Sequence, residues 1–235
     1  MNTKPLVTLA VDIGGTGLKM LCLDAAGKPL NERLRIPTPD PPTPARLLSG
    51  LDKLRKQMPP FDRVSVGFPG VIKHGMTMTA ANLDHAWIGY PLEATLRKRW
   101  RKPVRVANDA AVQGLGAIQG RGIEMILTLG TGMGSCLYVD GHTCPLELGH
   151  HPWRKKTYED YLGLRGLKKY GKKKWNKLLK MAIEQTQATF NWDHLYLGGG
   201  NMKLAKMEPQ RNITIVSNLD GLLGGVALWR GANRD

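Results

Sequence analysis

Apolar and polar positions follow the same order in two places along the chain. Residues 9–24 read LAVDIGGTGLKMLCLD, and residues 126–140 read ILTLGTGMGSCLYVD. In each segment an apolar run reaches a glycine-rich turn, and a second apolar run follows and ends at an aspartate. Such runs, bounded by glycine, predict two strands joined as a hairpin. The repetition predicts two lobes built on one plan, which together bind one phosphorylated ligand.

The rest of the pattern predicts alternating strands and helices. Short apolar runs predict further strands at 28–35, 63–68, 104–107, 195–197 and 213–215. Start signals and periodicity predict helices at 45–57, 91–101, 110–119, 157–169, 173–190 and 222–229. Hairpins followed by alternating helices and strands are typical of α/β proteins. We therefore predict two α/β lobes, residues 1–107 and 108–235, with the final helix packing back on the first lobe.

The tips of the two hairpins are candidate phosphate-binding loops. They contain Gly14, Gly15, Thr16 and Gly17 in the first hairpin, and Gly130, Thr131 and Gly132 in the second. Glycine supplies positive φ and lets a phosphate approach the backbone, so that several N–H groups can point at one anion. Ordinary hairpins also use glycine in their turns, so each tip alone fits a plain turn as well. Threonine in both tips favours the phosphate interpretation.

Composition is that of a globular protein with a strong positive charge. The chain has 235 residues, 42% of them hydrophobic, and a formal net charge of +15. No apolar run approaches the roughly 20 residues of a membrane span. The N-terminal segment lacks a signal-peptide cleavage pattern. The three cysteines lack Cys-x-x-Cys spacing, which fits a reducing compartment, and we expect a cytoplasmic protein that does not bind membranes.

The positive charge is concentrated in two clusters. One is the run Arg97-Lys98-Arg99-Trp100-Arg101-Lys102, and the other is a lysine-rich stretch from Arg154 to Lys180. Such a field attracts polyanions, which include nucleic acid, acidic membranes and polyphosphate. The alternative is a basic surface without a dedicated partner.

Two carboxylates stand where predicted strands end. Asp12 comes just before Gly14, where it can hold Mg²⁺ at bound phosphates or cap the turn through its own side chain. Asn108 and Asp109 follow a buried strand and precede a helix of small residues. Asp109 can accept the proton of a hydroxyl that attacks phosphorus. Simple N-capping of the helix also explains the pair.

A polar loop after the second hairpin is a candidate substrate site. Glu147 and His150 in this loop suit hydrogen bonding to vicinal hydroxyls. His142, Cys144 and His151 lie close by in sequence and raise the question of zinc. Neither Cys-x-x-Cys nor HExxH spacing is present, however, which disfavours a zinc site.

Other sequence signals narrow the choice further. Asn82 lies in Ala80-Ala81-Asn82-Leu83-Asp84, which fits either another substrate loop or a plain turn. The sequence contains neither a P-loop, GxxxxGK[ST], nor a GxGxxG that opens a helix after a strand. A P-loop protein is therefore excluded and a dinucleotide-binding enzyme is disfavoured, and the hairpin tips are the candidate phosphate-binding elements.

Several of these segments together indicate a family. DIGGTGLK, VGFPGVI, TAANLDHAWIG, ANDAAVQGLG, LTLGTGMGS, ELGHH and LGGG occur in this order. The chain resembles the ROK-type sugar kinases from about residue 7 to the last helix, and among them the branch that uses inorganic polyphosphate. The resemblance implies a ribonuclease-H-like, actin-like two-lobe α/β fold with the sugar in a central cleft.

The resemblance also implies roles for individual residues. It makes Asp109 the general base for the sugar 6-hydroxyl, and it assigns sugar contacts to Asn82, Asn108, Glu147, His150 and Glu159. The hairpin tips match the two phosphate loops of the family. Gly198-Gly199-Gly200 matches the glycine turn beside the phosphoryl donor. The zinc-binding cysteine cluster common in the family is missing after His150.

The sequence therefore predicts a kinase that transfers a phosphoryl group from inorganic polyphosphate, and also from ATP, to the 6-hydroxyl of glucose. Mg²⁺ is the expected cofactor, with Asp12 as its ligand. The expected partners are glucose and the donor, without nucleic acid, and the resemblance favours a homodimer. The alternatives are an ATP-dependent kinase of another hexose and a non-catalytic sugar sensor or polyanion-binding protein.

Overall fold

The chain forms two compact units. The structure is a computed structural model, and it describes residues 6–80, 83–208, 210–217 and 220–230. One unit contains the described residues up to Gly116 together with the C-terminal helix, and the other begins at Ala117. The boundary between the units therefore lies after Gly116, later in the chain than the predicted end of the first lobe at residue 107.

The first unit begins with the predicted hairpin and continues with helices between parallel strands. Its elements up to Gly116 are β1 (Thr8–Gly14), β2 (Gly17–Leu23), β3 (Leu34–Ile36), α1 (Pro44–Arg55), β4 (Arg63–Phe68), β5 (Ile72–Lys73), β6 (Met76–Thr77), α2 (Leu92–Trp100), β7 (Val104–Asn108) and α3 (Asp109–Leu115). The strand order in its main sheet is β3-β2-β1-β4-β7. The first three strands of the chain pair antiparallel, and β1, β4 and β7 run parallel.

The second unit repeats this arrangement. Its elements are β8 (Ile123–Leu129), β9 (Met133–Val139), β10 (His142–Leu146), β11 (Pro152–Trp153), β12 (Lys156–Thr157), α4 (Tyr158–Leu162), α5 (Leu164–Phe190), β13 (His194–Gly198) and β14 (Ile213–Ile215). The order in its main sheet is β10-β9-β8-β13-β14. When only the strands of each main sheet are counted in chain order, the order in both sheets is third, second, first, fourth, fifth. The two-copy plan predicted from the hairpins is confirmed at the level of topology.

The last helix, α6 (Asp220–Ala227), belongs to the first unit. It packs closely on α3, because a Cβ at Gly224 would lie only 1.8 Å from the carbonyl oxygen of Val112. On the same face of the sheet, Leu222 and Val226 are buried with Ala10 of β1. This packing explains the position of the boundary, since α3 is held in the first unit by α6 and by the strands β4 and β7.

The first strand is apolar on both sides because both faces of its sheet are covered. Leu9 and Val11 are buried in a core that includes Leu47 and Leu51 of α1, while Ala10 faces α6. A strand covered on both faces has a near-continuous apolar run in place of strict alternation. This is the physical reason for the consecutive apolar residues Leu9-Ala10-Val11 in β1.

The lysine-rich stretch forms an amphipathic helix with a break. Trp175, Leu178 and Ala182 of α5 are buried, whereas the lysines of the stretch are exposed. Gly171 has φ +71° and interrupts the helix. The predicted helix at 157–169 is thus wrong in its bounds, since α4 ends at Leu162 and α5 begins at Leu164. The break at Gly171 agrees with the prediction of a separate helix at 173–190.

Candidate active site

A row of paired residues crosses the whole sheet of the first unit beside the first glycine turn. Asp12 of β1 pairs with Lys19 of β2 on one side and with Gly67 of β4 on the other. The row continues to Arg35 on β3 and to Ala107 on β7. Directly paired residues project to the same face of a sheet. Two cations and one carboxylate therefore lie side by side, followed by a gap at the glycine.

Asp12 and Lys19 form an ion pair within this row. Lys19 Nζ donates to Asp12 Oδ2 at 2.6 Å, and the two side chains are 26% and 28% exposed, respectively. In the described part of the chain, Asp12 thus uses its carboxylate to bind the neighbouring strand and not to cap its own turn. Sequence reasoning assigned no role to Lys19, and the register now places it against the predicted magnesium ligand.

Asn108 is the N-cap of α3. Its Oδ1 accepts hydrogen bonds from the backbone N–H groups of Ala110 at 2.9 Å and Ala111 at 3.2 Å. Its Nδ2 donates to the carbonyl oxygen of Gly70 at 3.2 Å. The capping explanation therefore holds for Asn108, and one N–H of its amide is left for the predicted sugar contact, which stays a prediction.

Asp109 is the first residue of α3 and lies over the gap in the row. Its Oδ1 accepts a hydrogen bond from the N–H of Ala110 at 2.8 Å. A Cβ at Gly67 would lie 3.4 Å from Asp109 Cα and 3.7 Å from its Cβ. Glycine at position 67 thus makes room for Asp109, which lies next to the strand position of Asp12. Both predicted functional carboxylates of the first unit therefore neighbour Gly67, Asp12 through strand pairing and Asp109 through packing.

An arginine lies against the first glycine turn. Arg35 Nη2 donates to the carbonyl oxygen of Thr16 at 3.2 Å, and a Cβ at Gly17 would lie 2.6 Å from Arg35 Nε. On the other side of the turn, Thr38 Oγ1 donates to the carbonyl oxygen of Gly14 at 2.5 Å. Sequence reasoning missed Arg35. The alternation Leu34-Arg35-Ile36 opposite Lys19 is the signal that could have identified it.

The glycines of the two hairpin tips are not there for positive φ. The glycines of the described chain with positive φ include Gly199 but neither Gly14, Gly17, Gly130 nor Gly132. The sequence argument was wrong on this point. In both tips a glycine leaves room for a charged side chain of another element that lies against the backbone, and the charge differs between the two tips.

A glutamate lies against the second glycine turn. Glu159 Oε2 accepts a hydrogen bond from the N–H of Met133 at 3.1 Å, and a Cβ at Gly132 would lie 2.3 Å from that oxygen. The N–H of Leu164 donates to the carbonyl oxygen of Gly130 at 2.9 Å and so ties the turn to the start of α5. A predicted sugar residue and a predicted phosphate loop are therefore in direct contact.

The glycine turn after β13 packs on the same loop. Gly199 has φ +93°, and a Cβ there would lie 2.3 Å from the carbonyl oxygen of Leu129. Asn201 Nδ2 then donates to the carbonyl oxygen of Gly130 at 2.8 Å. The turn at Gly198–Gly200 thus lies beside the second hairpin tip, and its predicted place beside the phosphoryl donor stays a prediction.

Glu147 and His150 also lie near this tip. His150 Nε2 is 3.6 Å from Glu147 Oε2, with the side chains 50% and 39% exposed, respectively. Gly149 between them packs so closely that a Cβ would lie 2.3 Å from the carbonyl oxygen of Met133. Burial raises the pKa of the Glu147 carboxyl, His150 opposes that rise, and the charge of Glu159 adds to it. The three predicted sugar residues of the second unit therefore share one electrostatic environment.

Comparisons with known proteins show the family and the fold of the chain. A family model described as the ROK family matches residues 8–156. The chain belongs to the ROK family. Among its relatives is the polyphosphate glucokinase of Mycobacterium tuberculosis (strain ATCC 25177 / H37Ra), which is 29% identical over 203 residues, covering 82% of this chain and 76% of that protein.

Two solved structures have folds similar to that of this chain. The inorganic polyphosphate/ATP-glucomannokinase from Arthrobacter sp. strain KM superimposes with a TM-score of 0.85 at 30% identity, covering 96% of this chain and 98% of that chain. A ROK family glucokinase from Streptomyces griseus, in complex with glucose and AMPPNP, gives 0.75 at 19% identity, covering 94% and 98%. The second likeness shows the fold alone. The predicted α/β fold class of ROK proteins is confirmed.

The described residues of this ROK protein leave one predicted sugar contact untested and contain neither a metal-binding cluster nor a membrane-spanning helix. Asn82 lies outside the described residues. Within the described ranges, no group of three or more His, Cys, Asp and Glu side chains is arranged to hold a metal ion. In the same ranges, no helix has the length and apolarity needed to span a membrane.

Proposed function

We propose that this ROK protein is a kinase that transfers a phosphoryl group from inorganic polyphosphate, and also from ATP, to the 6-hydroxyl of glucose. The observation that supports it most directly is the row of Arg35, Lys19 and Asp12, with Asp109 lying over Gly67 at its end. Cations at one end of the row suit a phosphate chain, and a carboxylate at the other suits an attacking hydroxyl. The relatives named for polyphosphate and glucose support the choice of donor and acceptor.

Asp109 acts as the general base in this proposal. As the 6-hydroxyl oxygen attacks the terminal phosphorus, its proton passes to the Asp109 carboxylate. A new bond forms between the sugar oxygen and phosphorus, and the bond from phosphorus to the bridging oxygen breaks. The shortened phosphate chain, or ADP, leaves with that electron pair. Phosphoryl transfer needs positioning and charge neutralisation more than covalent chemistry, and the row of charged side chains supplies both.

The cations of the row bind the donor. Arg35 presents a planar guanidinium that pairs with phosphate oxygens through two hydrogen bonds, and Lys19 adds a point charge. Arg35 already lies at the tip of the first hairpin through its bond to Thr16. A phosphate bound at this tip therefore meets a guanidinium, whereas one at the second tip would meet the carboxylate of Glu159.

Mg²⁺ fits this site as a weakly held ion. Lys19 engages one oxygen of Asp12, which leaves the other as a single carboxylate ligand. Mg²⁺ commonly keeps several waters and is held by one or two carboxylates together with substrate phosphates, so this donor set is sufficient. Bound there, the ion would neutralise charge on the transferred phosphoryl group. Asp12 would hold it, and Lys19 would fix the orientation of the carboxylate.

The remaining assignments belong to the same proposal. Sugar hydroxyls are proposed to be bound by Asn108, Glu147, His150 and Glu159. The Glu147–His150 pair can donate hydrogen bonds to neighbouring hydroxyls and accept hydrogen bonds from them. A cytoplasmic homodimer is proposed on the family resemblance. A donor preference for ATP, with another hexose as acceptor, is the competing candidate.

A donor and acceptor panel tests the proposal. The purified protein is incubated with glucose and either long-chain polyphosphate or ATP, and glucose 6-phosphate is measured over a range of salt concentrations. We expect product with polyphosphate as sole donor, with a rate that falls as salt rises. Activity with ATP alone, insensitive to salt, would overturn the polyphosphate claim. Salt-dependent binding of polyphosphate without product would support the non-catalytic alternative.

A further inference from the structure

A second basic site lies on the first unit, away from the row that contains Asp12. It is a cavity of about 810 Å³ along the edge strand β7. The turn between β5 and β6 and the two residues that follow α6, Leu228 and Trp229, also contribute to its lining. The charged and aromatic side chains that the argument uses are Arg97, Arg101, Lys102, Arg105, Glu93 and Trp229.

The charge of this cavity is mostly uncompensated. Arg97 Nη2 lies 3.6 Å from Glu93 Oε1. Within the described ranges, no carboxylate forms an ion pair with Arg101, Lys102 or Arg105. Four cations against one carboxylate make the cavity a region of positive potential, which attracts anions and raises their local concentration.

Arg105 and Trp229 form the floor of the cavity, and contacts within the protein hold both side chains in place. Arg105 Nη1 donates to the carbonyl oxygen of Leu228 at 2.5 Å, and its guanidinium lies 4.6 Å from the centre of the Trp229 ring. Trp229 is itself held, since its Nε1 donates to Ser65 Oγ at 2.8 Å. Arg63 lies over the same ring at 5.1 Å, and burial and the charge of Arg105 lower its pKa.

From this arrangement we infer that the cavity binds a stretch of inorganic polyphosphate. Guanidinium groups match the geometry of phosphate oxygens, and clustered uncompensated cations suit a ligand with charge on every unit. The aromatic ring of the lining already contacts two arginines, so it does not offer a free platform for a nucleobase. A polyanion without bases fits the site better than a nucleic acid.

The position of the cavity on β7 indicates a role for the bound stretch of polyphosphate. Val104–Val106 line the cavity, and the same strand ends at Asn108 beside Asp109. At about 3.3 Å per residue, Arg105 lies about 10 Å from Asn108 along β7. A donor that has its terminal phosphate at Asp109 and another part of its chain in the cavity must span at least this length, which a long donor does and a short one does not. This inference rests on the proposed function, and it adds a second point of attachment for long donors.

The test removes three rim charges and keeps the floor. One variant combines Arg97→Gln, Arg101→Asn and Lys102→Gln; asparagine suits position 101 because its backbone is left-handed, with φ +52°. The control variant removes three exposed cations elsewhere on the same unit, with Lys28→Gln, Arg33→Gln and Lys53→Gln. Both variants lose the same net charge, so only the position of the charge differs.

Binding of long-chain sodium polyphosphate is measured directly as a function of salt. We expect the rim variant to bind about tenfold more weakly than the control variant, and its slope of log affinity against log salt to be shallower by about 2. KM for long-chain polyphosphate should rise in the same proportion, whereas KM for tripolyphosphate should be alike in the two variants.

The outcomes separate this inference from the proposed function. Equal weakening in the rim and control variants would overturn the inference, even if the wild type phosphorylates glucose from polyphosphate. A wild type that binds long-chain polyphosphate through the rim but forms no product would overturn the proposed function and keep the binding site. Single-stranded DNA that binds at the rim as tightly as polyphosphate, charge for charge, would overturn the assignment of the ligand.

Discussion

The two glycine hairpins share strand order and sequence pattern, yet their tips carry opposite charges. In the first unit a guanidinium, that of Arg35, approaches Gly17. In the second unit a carboxylate, that of Glu159, approaches Gly132 and accepts a hydrogen bond from the loop. The comparison teaches that a glycine-rich turn permits close approach but does not decide what approaches. The first tip suits a phosphate, and the second holds an acidic side chain.

The largest expected effect comes from the carboxylate beside the first hairpin. Asp109→Asn keeps the size of the side chain and its contact with Gly67, but it removes the proton acceptor. We expect kcat for glucose phosphorylation to fall by about 10²–10⁴-fold, the range for loss of a general base. Thermal stability and glucose affinity, measured alongside, serve as controls. Near-normal kcat in a folded variant would remove Asp109 from the base role.

A large stability effect is expected at the turn that supports the second hairpin. Gly199→Ala places a side chain at φ +93° and 2.3 Å from the carbonyl oxygen of Leu129, where backbone atoms cannot yield easily. We expect a loss of about 2–4 kcal/mol in the free energy of unfolding, measured in urea. Gly200→Ala is the matched control, since its Cβ meets nothing within 4 Å. Equal losses in both variants would contradict the close packing of this turn on β8.

The second tip itself distinguishes a sugar role from a phosphate role. Gly132→Ala would force Glu159 away from Met133, so we expect KM for glucose to rise about tenfold, the cost of one hydrogen bond to a charged group. KM for the donor should change much less. Gly130→Ala is the control, because its Cβ has open space around it. An increase confined to the donor KM would show that the second tip binds phosphate.

The first tip makes the opposite prediction. Arg35→Gln removes the guanidinium that lies on Thr16, and we expect KM for polyphosphate to rise about fivefold while KM for glucose stays constant. Arg33→Gln, an exposed cation on the same segment, is the control for net charge. If both variants raise the donor KM equally, Arg35 has no specific contact with the phosphate chain.

The smallest expected effect is the pH dependence near the second tip. Because burial raises the pKa of Glu147 in the folded protein, its stability contribution is full below the ordinary value of 4.5 and is lost as pH rises through the raised folded value. Glu147→Gln should therefore be more stable than the wild type at neutral pH, by about 0.5 kcal/mol or less for so exposed a group.

Thermal unfolding across the acid range measures this difference. The difference in stability between Glu147→Gln and the wild type should vanish below the ordinary pKa of Glu147, where the wild-type carboxyl is protonated in both the folded and unfolded states. Glu208→Gln, at an exposed position, should show no such trend. A difference between Glu147→Gln and wild type that is constant with pH would show that Glu147 carries no burial penalty.

The sequence predicted the fold well and the site in part. The repeated hairpin and the alternating elements correctly indicated two α/β units, and the Asn108-Asp109 pair was correctly placed at a strand end. The lobe boundary was wrong because helix α3 is held by α6, more than one hundred residues later in the chain. Local pattern does not report such a contact. The reason given for the hairpin glycines was wrong for the same cause, since both approaching side chains come from other elements.

What the sequence determined by itself is the order of apolar runs, turns and polar strand ends, because these depend on neighbouring residues. It thereby determined the two sheets, the hairpin tips and the candidate base at Asp109. Only the tertiary structure decided which charge meets which tip. Strand pairing placed Arg35, Lys19 and Asp12 in one row, and helix packing placed Glu159 on the second loop. These contacts join residues of different strands and helices, separated by 7 residues for Asp12 and Lys19 and by 26 for Met133 and Glu159, and they depend on strand register and helix packing.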